Sequence, residues 1–249
     1  MTEYLLLAVA AFLAGMLNTV AGGGTFLTFP ALVYTGVPLV AANATSAVAV
    51  FPGYLGGAAG FHREIRAFDR SRLLKATAAT ALGGLVGSLL LLVSSNEAFA
   101  AVVPLLLALA TFVFAFGDRL KNVMEKHAVG AGAAGHVGTI AVAIYGGYFN
   151  GGLGIMLLAL FSLWGMRDLN QMNGLKNGLS FIVSAISVAT FAAAGLVAWP
   201  QAVVMMAAAT LGGYLGAPVA RALPAWMVRA GVIAVGVAMS AAFFWRLVA

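Results

Sequence analysis

Stretches of about 20 apolar residues follow one another along nearly the whole chain, separated only by short polar or glycine-rich breaks. Each is long enough to cross some 30 Å of hydrocarbon as a helix, and a helix is the form that satisfies its own backbone in lipid. The balance of residues agrees: 63% are hydrophobic and 8% are charged, against roughly 25% charged in an ordinary soluble domain. A water-soluble surface cannot be built from that. The expectation is a polytopic, all-α integral membrane protein of eight to ten helical membrane segments, with no soluble module to bind nucleic acid. The N-terminal run carries Glu3 and lacks a basic n-region, so it reads as a retained first membrane segment.

The breaks give the chain its organisation. Tyr4 to Val20 leads to Ala21-Gly22-Gly23-Gly24, a short run Thr25 to Tyr34, and a long run Asn43 to Phe61. A basic loop over 62–75 follows, then runs Ala76 to Val93 and Ala98 to Phe116. After a second basic loop the pattern restarts. Ala128 to Phe149 precedes the break Asn150-Gly151-Gly152-Leu153-Gly154 and a short run Ile155 to Trp164, then come Leu169 to Ala194, Gln201 to Ala220 and Trp226 to Val248. GMLNTVAGGGTFLTFPALVYTG is answered by GGYFNGGLGIMLLALFSLWG, and the long run after each carries a polar cluster. This internal duplication predicts a first transmembrane repeat over 1–117, a cytoplasmic connecting loop over 118–127 and a second repeat over 128–249.

Charge orients the repeats. If each broken element turns back, Arg63, Arg66, Arg70, Arg72, Lys75, Arg119, Lys121, Lys126, Arg167, Arg221 and Arg229 share one side, and only Arg246 lies opposite. If each crosses once, the bias is weaker. The positive-inside rule favours the first case. The fold expectation is therefore two inverted repeats, each a broken, re-entrant helix pair plus three transmembrane helices, with both termini outside. Trp164, Trp199, Trp226 and Trp245 fall at segment ends, where indoles anchor at the interface.

An interrupted helix at membrane depth leaves backbone groups that lipid cannot satisfy, so the breaks must face protein, water or ligand. Short helices starting at Thr25 and Ile155 would aim their amides and positive dipole ends at the breaks, an arrangement suited to an anion. The alternative is that the glycines are helix-packing notches. Lys176 is the basic residue well inside an apolar run, and the acids Glu3, Glu64, Asp69, Glu97, Asp118, Glu125 and Asp168 all lie in loops or segment ends. An anionic substrate would compensate the ammonium, as snorkelling to the interface also could. Neutral hydrogen bonds would come from Asn18, Asn43, Thr45, Ser46, Asn150, Asn173 and Asn177. The candidate substrate-binding set is thus those residues with Gly22, Gly23, Gly24, Thr25, Gly151, Gly152, Gly154 and Lys176.

Absence of intramembrane carboxylates argues against a cation carrier or cation channel. The chain has no cysteine. His62, His127 and His136 lie in or near loops without a poised serine, and no phosphate-binding loop or metal-ligand cluster is evident, so neither an enzyme nor a cofactor or metal is expected.

At these residues the chain resembles the TauE/SafE family, the sulfite exporter or toluene-sulfonate uptake permease family. NTVAGGGTFLTFPALVYTGVPLVAANATSA is similar to the family's glycine-rich first repeat. In the second half, Lys176-Asn177, the phenylalanine before Gly195 and the block GGYLGAPVARALP sit where members carry similar residues. The sequence departs in having Asn18 where many members carry an acid. The resemblance covers nearly the whole chain and implies multi-pass placement in a prokaryotic inner membrane. It implies movement of sulfonates such as sulfoacetate, or of sulfite, without ATP. Joined to the anion-site reading, this predicts an alternating-access carrier, an exporter, whose partners are a small anionic substrate and the bilayer, with a homodimer left open. An anion channel and a non-transporting membrane scaffold stand as alternatives. The particular anion, the transport direction and the coupling ion are not written in the sequence.

Overall fold

The computed structural model describes residues 2–20, 23–126, 133–222 and 225–248. Glycine and proline punctuate an otherwise helix-forming apolar sequence, and the described residues fold into helices α1 (Thr2–Val20), α2 (Thr25–Tyr34), α3 (Leu39–Gly60), α4 (His62–Ala67), α5 (Arg70–Leu92), α6 (Asn96–Lys126), α7 (Ala133–Tyr148), α8 (Leu153–Leu163), α9 (Leu169–Ala193), α10 (Trp199–Ala222) and α11 (Ala225–Val248). Among the described residues, Leu39–Gly56, Arg70–Leu92, Asn96–Val113 and Asn170–Ala193 are each long and apolar enough to cross a membrane, and Thr2–Asn18, Thr25–Tyr34, Leu153–Leu163 and Ile233–Trp245 are shorter apolar helices. The chain is membrane-embedded.

Two loop expectations change. The basic segment 62–75 is not a loop: His62–Ala67 forms a short helix, and α5 starts at Arg70. Asp69 supplies the reason, since its carboxylate accepts from the Arg72 amide at 2.8 Å and caps the helix. The connecting segment 118–127 is likewise helical as far as Lys126, because α6 runs on for 31 residues. At 1.5 Å per residue that is about 46 Å, well beyond the hydrocarbon thickness. His127 lies outside the described residues.

Both broken elements are hairpins. Leu6 and Ala10 of α1 share a cleft with Pro30, Val33 and Tyr34 of α2, while Gly24 lies against Ala14 and Asn18; α2 therefore runs back along α1. In the second hairpin Gly146 faces Leu153 and Gly138 faces Leu160, so α8 runs back along α7. Each hairpin closes with the same C-terminal turn. Gly36 (φ 82°) and Gly165 (φ 80°) take the left-handed conformation that glycine adopts without Cβ strain. The amides of Val37 and Met166 then reach back to the carbonyls of Leu32 and Phe161, each at 3.1 Å.

The two hairpin tips meet inside the bundle. Phe29 packs edge-on against Phe149 at 5.8 Å between ring centroids. A β-carbon at Gly152 would come within 3.7 Å of the Phe26 ring. Around them the contacts of one half repeat those of the other. Helix α1 packs on α10 as α7 packs on α5, α3 packs on α10 as α9 packs on α5, α3 meets α9, and α6 meets α11.

The first of these pairings rests on small residues. A β-carbon at Gly15 would strike the Ala209 carbonyl, and one at Gly212 the Phe12 carbonyl; at Gly147 it would strike the Gly84 carbonyl, and at Gly87 the Ile144 carbonyl. Backbones approach this closely in membrane bundles where no side chain intervenes. The sequence signal is Leu82-Gly83-Gly84-Leu85-Val86-Gly87 in α5, repeated as Leu211-Gly212-Gly213-Tyr214-Leu215-Gly216 in α10. Among the tryptophans, Trp199 and Trp245 are exposed, whereas Trp164 packs on Phe161 at 5.2 Å with its Nε1 buried.

Candidate functional site

Next to the first hairpin tip lies a cavity of about 430 Å³ lined by Gly15 and Asn18 of α1, Val50 and Tyr54 of α3, Asn177 of α9, and Ala209, Thr210, Gly213 and Tyr214 of α10, with Phe61 and the α3 turn around Pro52 closing it. Its polar groups are amides and hydroxyls, and no charged side chain lines it among the described residues. Helix α3 supplies Tyr54 directly after Pro52-Gly53, and the phenol is buried.

The candidate residues divide into distinct groups. Asn18 and Asn177 line the cavity. Asn18 also holds the first tip, its Oδ1 accepting from the Gly24 amide at 2.8 Å. The amides of Phe26 and Leu27 go to the carbonyls of Gly23 and Gly24. The expected ring of free amides is therefore already engaged at Gly24 in this conformation. Gly23, Gly24 and Thr25 are buried, and Gly22 lies outside the described residues.

Ser46 and Thr45 act on neighbouring elements. Ser46 bonds Thr28 of α2 at 2.6 Å, and Thr45 accepts from the Ala198 amide at the start of α10 at 3.0 Å. Asn43 donates to the Tyr148 carbonyl at 2.7 Å, and its Oδ1 is buried with no partner among the described residues.

The second tip is built differently. Asn150 has φ 62°, and asparagine tolerates that region better than most residues. Its Oδ1 accepts from Tyr54 and its Nδ2 donates to Ser184, each at 3.5 Å. The Tyr145 hydroxyl donates to the Gly151 carbonyl. Gly151, Gly152 and Gly154 are buried, and Ile155 already donates to the Gly152 carbonyl at 3.0 Å. Asn173 is half-buried on the first turns of α9.

Lys176 is 4% exposed, and no hydrogen bond or ion pair joins it to another described residue. It does not line the cavity; its neighbour Asn177 does. Sequence reasoning missed Tyr54, Thr210 and Tyr214. A phenol one residue past Pro52-Gly53 within an apolar run was the available signal for Tyr54, and the repeated glycine motif was the signal that α10 would flank the first hairpin. His62 is exposed, with Nδ1 3.1 Å from the Ala59 carbonyl, and His136 is half-buried in α7. Among the described residues no group of three or more His, Asp or Glu could hold a metal.

The chain is 28% identical over 231 residues to a "Probable membrane transporter protein" of Haemophilus influenzae, covering 92% of this chain and 90% of that one. It is 25% identical over 235 residues to "Probable membrane transporter protein ORF9" of a Sinorhizobium species, covering 94% and 89%. No solved structure matches it significantly. The model of the sulfite exporter TauE/SafE family matches residues 7–243, and the chain belongs to that family of membrane transporters.

Proposed function

We propose that this protein is a secondary carrier, an exporter, of small organosulfur or sulfur oxyanions, sulfonates such as sulfoacetate or sulfite, working by alternating access between two inverted repeats in a prokaryotic inner membrane. The cavity beside the first hairpin carries the reading. It combines the side-chain amides of Asn18 and Asn177, as neutral donors, with a lining free of carboxylates among the described residues, while the Tyr54 and Thr210 hydroxyls beside them donate to Asn150 and to the Met206 carbonyl in this conformation; this suits oxyanion oxygens and offers a cation no charged ligand. Lys176, one residue from Asn177, adds a buried positive charge whose field reaches the cavity through low-dielectric surroundings.

The repeat reading draws on the packing. The first hairpin closes beside the N-terminus of α6, where Val33 and Val37 share a cleft with Asn96 and Ala100. The second begins after the other end of that long helix. Hairpins entered from opposite ends, with tips touching near the middle, are what inverted repeats require. The Gly23–Thr25 and Gly151–Ile155 backbones would then meet the anion as the tips rearrange.

Uptake of labelled sulfite and sulfoacetate into proteoliposomes tests the reading. Saturable flux with counterflow is expected. Non-saturating flux without counterflow would establish an anion channel. No flux, with no anion-dependent rise in thermal stability, would leave a scaffold, because a ligand that binds the folded state must stabilise it.

A further inference from the structure

The cavity beside the first hairpin has a counterpart that is packed shut. Aligning the halves on Asn18 with Asn150, on Phe51 with Phe181 and on the two Leu-Gly-Gly motifs places Ser180 where the cavity has Val50, Ser184 where it has Tyr54, and Thr80 where it has Ala209. In the second half the helices that carry them are packed together. A β-carbon on Gly84 would lie 3.3 Å from Val183 Cα, whereas one on Gly53, which stands where Val183 does, meets nothing within 4 Å, and Asn150 is tied to Ser184 and Tyr54.

At two of the matched positions the shut region carries a hydroxyl where the open one carries an apolar side chain. Thr80 and Ser180 are each 0% exposed, and their hydroxyl oxygens have no hydrogen-bond partner among the described residues. A buried hydroxyl without a partner carries its full desolvation cost. Alanine and valine stand at the matching places beside the open cavity, so close packing alone gives no reason for threonine and serine here. Exposure to water or ligand in another conformation does.

We propose that Asn150, Ser184, Ser180 and Thr80 form a second oxyanion half-site, shut in this structure, which opens toward the opposite end of the molecule when the cavity beside Asn18 closes. This rests on the carrier reading. The two conformations differ by an exchange of arrangement between the halves: α9 draws away from α5 and the second hairpin while the end of α3 closes on α10 and the first hairpin. The Asn150 amide and the three hydroxyls then offer neutral donors to the same small oxyanion.

Because the chain has no cysteine, single-cysteine variants report each region without background. Ala209→Cys marks the open cavity, Thr80→Cys and Ser180→Cys mark the shut one, and Ala11→Cys, in the core, is the buried control. Each is reconstituted in the full-length protein and exposed to a membrane-impermeant charged thiosulfonate from one face at a time. Ala209→Cys should react from one face; Thr80→Cys and Ser180→Cys should react from the other, at least about tenfold faster than Ala11→Cys. Millimolar methanesulfonate should slow all three.

Reaction of Thr80→Cys and Ser180→Cys no faster than the control, or from the same face as Ala209→Cys, overturns the proposal. If a variant fails to keep the parent's unfolding midpoint, amide deuterium exchange over 178–187 of the unmodified chain decides instead. Exchange as slow as in the Ala11 region overturns the proposal, and faster exchange supports it. The face and rate that decide the proposal are read before methanesulfonate is added, so loss of the half-site and loss of anion flux are separate results.

Discussion

Phe51 and Phe181 stack on one another with ring centroids 5.2 Å apart and planes inclined by 17°. They occupy matching places in the two halves, and α3 and α9 meet through them. In the inverted-repeat arrangement proposed above, a residue that packs on its own counterpart lies on the axis relating the halves. Leucine at either position should therefore cost a similar amount. A double-mutant cycle read by unfolding in detergent should give a coupling of about 0.5–1.5 kcal/mol, the usual worth of an aromatic pair beyond its buried area. A coupling of zero would mean that the rings touch without stabilising the interface.

Close backbone approach makes the glycine notches intolerant. Gly212→Ala would drive a methyl into the Phe12 carbonyl, and Gly147→Ala into the Gly84 carbonyl. Each should lower stability by about 1–3 kcal/mol, the range for overpacking. Gly53→Ala, whose β-carbon meets nothing within 4 Å, should be neutral or slightly stabilising, since alanine favours the helix. Unfolding midpoints of the three variants check this.

Removing the buried ammonium should separate stability from binding. Lys176 has no polar partner among the described residues, so Lys176→Met should raise stability by roughly 2–3 kcal/mol, the cost of a charge at membrane depth. The same change should abolish sulfite and sulfoacetate binding, and Lys176→Arg should retain part of it. Thermal unfolding with and without each anion measures both. Unaltered flux in Lys176→Met would remove the residue from the mechanism.

Asn18 faces the cavity and caps the first tip through the Gly24 amide. Asn18→Asp preserves the acceptor and strengthens the cap, since a charged acceptor bonds an amide more firmly. It also places a negative charge against the substrate. The firmer cap should offset part of the cost of a charge at membrane depth, so a modest loss of stability is expected together with at least a tenfold rise in the anion concentration for half-maximal flux, steeper at low salt. Equal affinity would show that the anion does not approach Asn18.

The second tip turns through two left-handed residues, Asn150 at φ 62° and Gly152 at φ 75°, and Asn150 is the one with a side chain. Asn150→Gly keeps that conformation and loses the contacts to Tyr54 and Ser184, whereas Asn150→Ala loses them and adds strain of about 1 kcal/mol. The glycine variant should be the more stable. Tyr54→Phe, which removes a bond of 3.5 Å, should cost under about 1 kcal/mol but slow flux. Comparing unfolding and flux across the three substitutions tests the assignment.

Apolar periodicity and polar punctuation determined where the helices of the bundle lie, because in lipid a backbone must bond to itself and a run of about 20 apolar residues has few other forms. They also determined a break before each short helix and the concentration of polar side chains beside the breaks, although α8 starts at Leu153, two residues ahead of the run expected at Ile155. Local chemistry beyond that was misread where helix signals were short: Asp69 turned the supposed loop into a helix start, and α6 ran on to Lys126. Tertiary structure alone decided which polar residues meet. Asn18 and Asn177 face one cavity with Tyr54 and Thr210, Ser46 and Thr45 are consumed in holding α2 and α10, and Lys176 points elsewhere. Sequence spacing fixes the face a residue takes on its own helix, but the space opposite that face belongs to another helix, and its position is set only when the glycine notches let the bundle close.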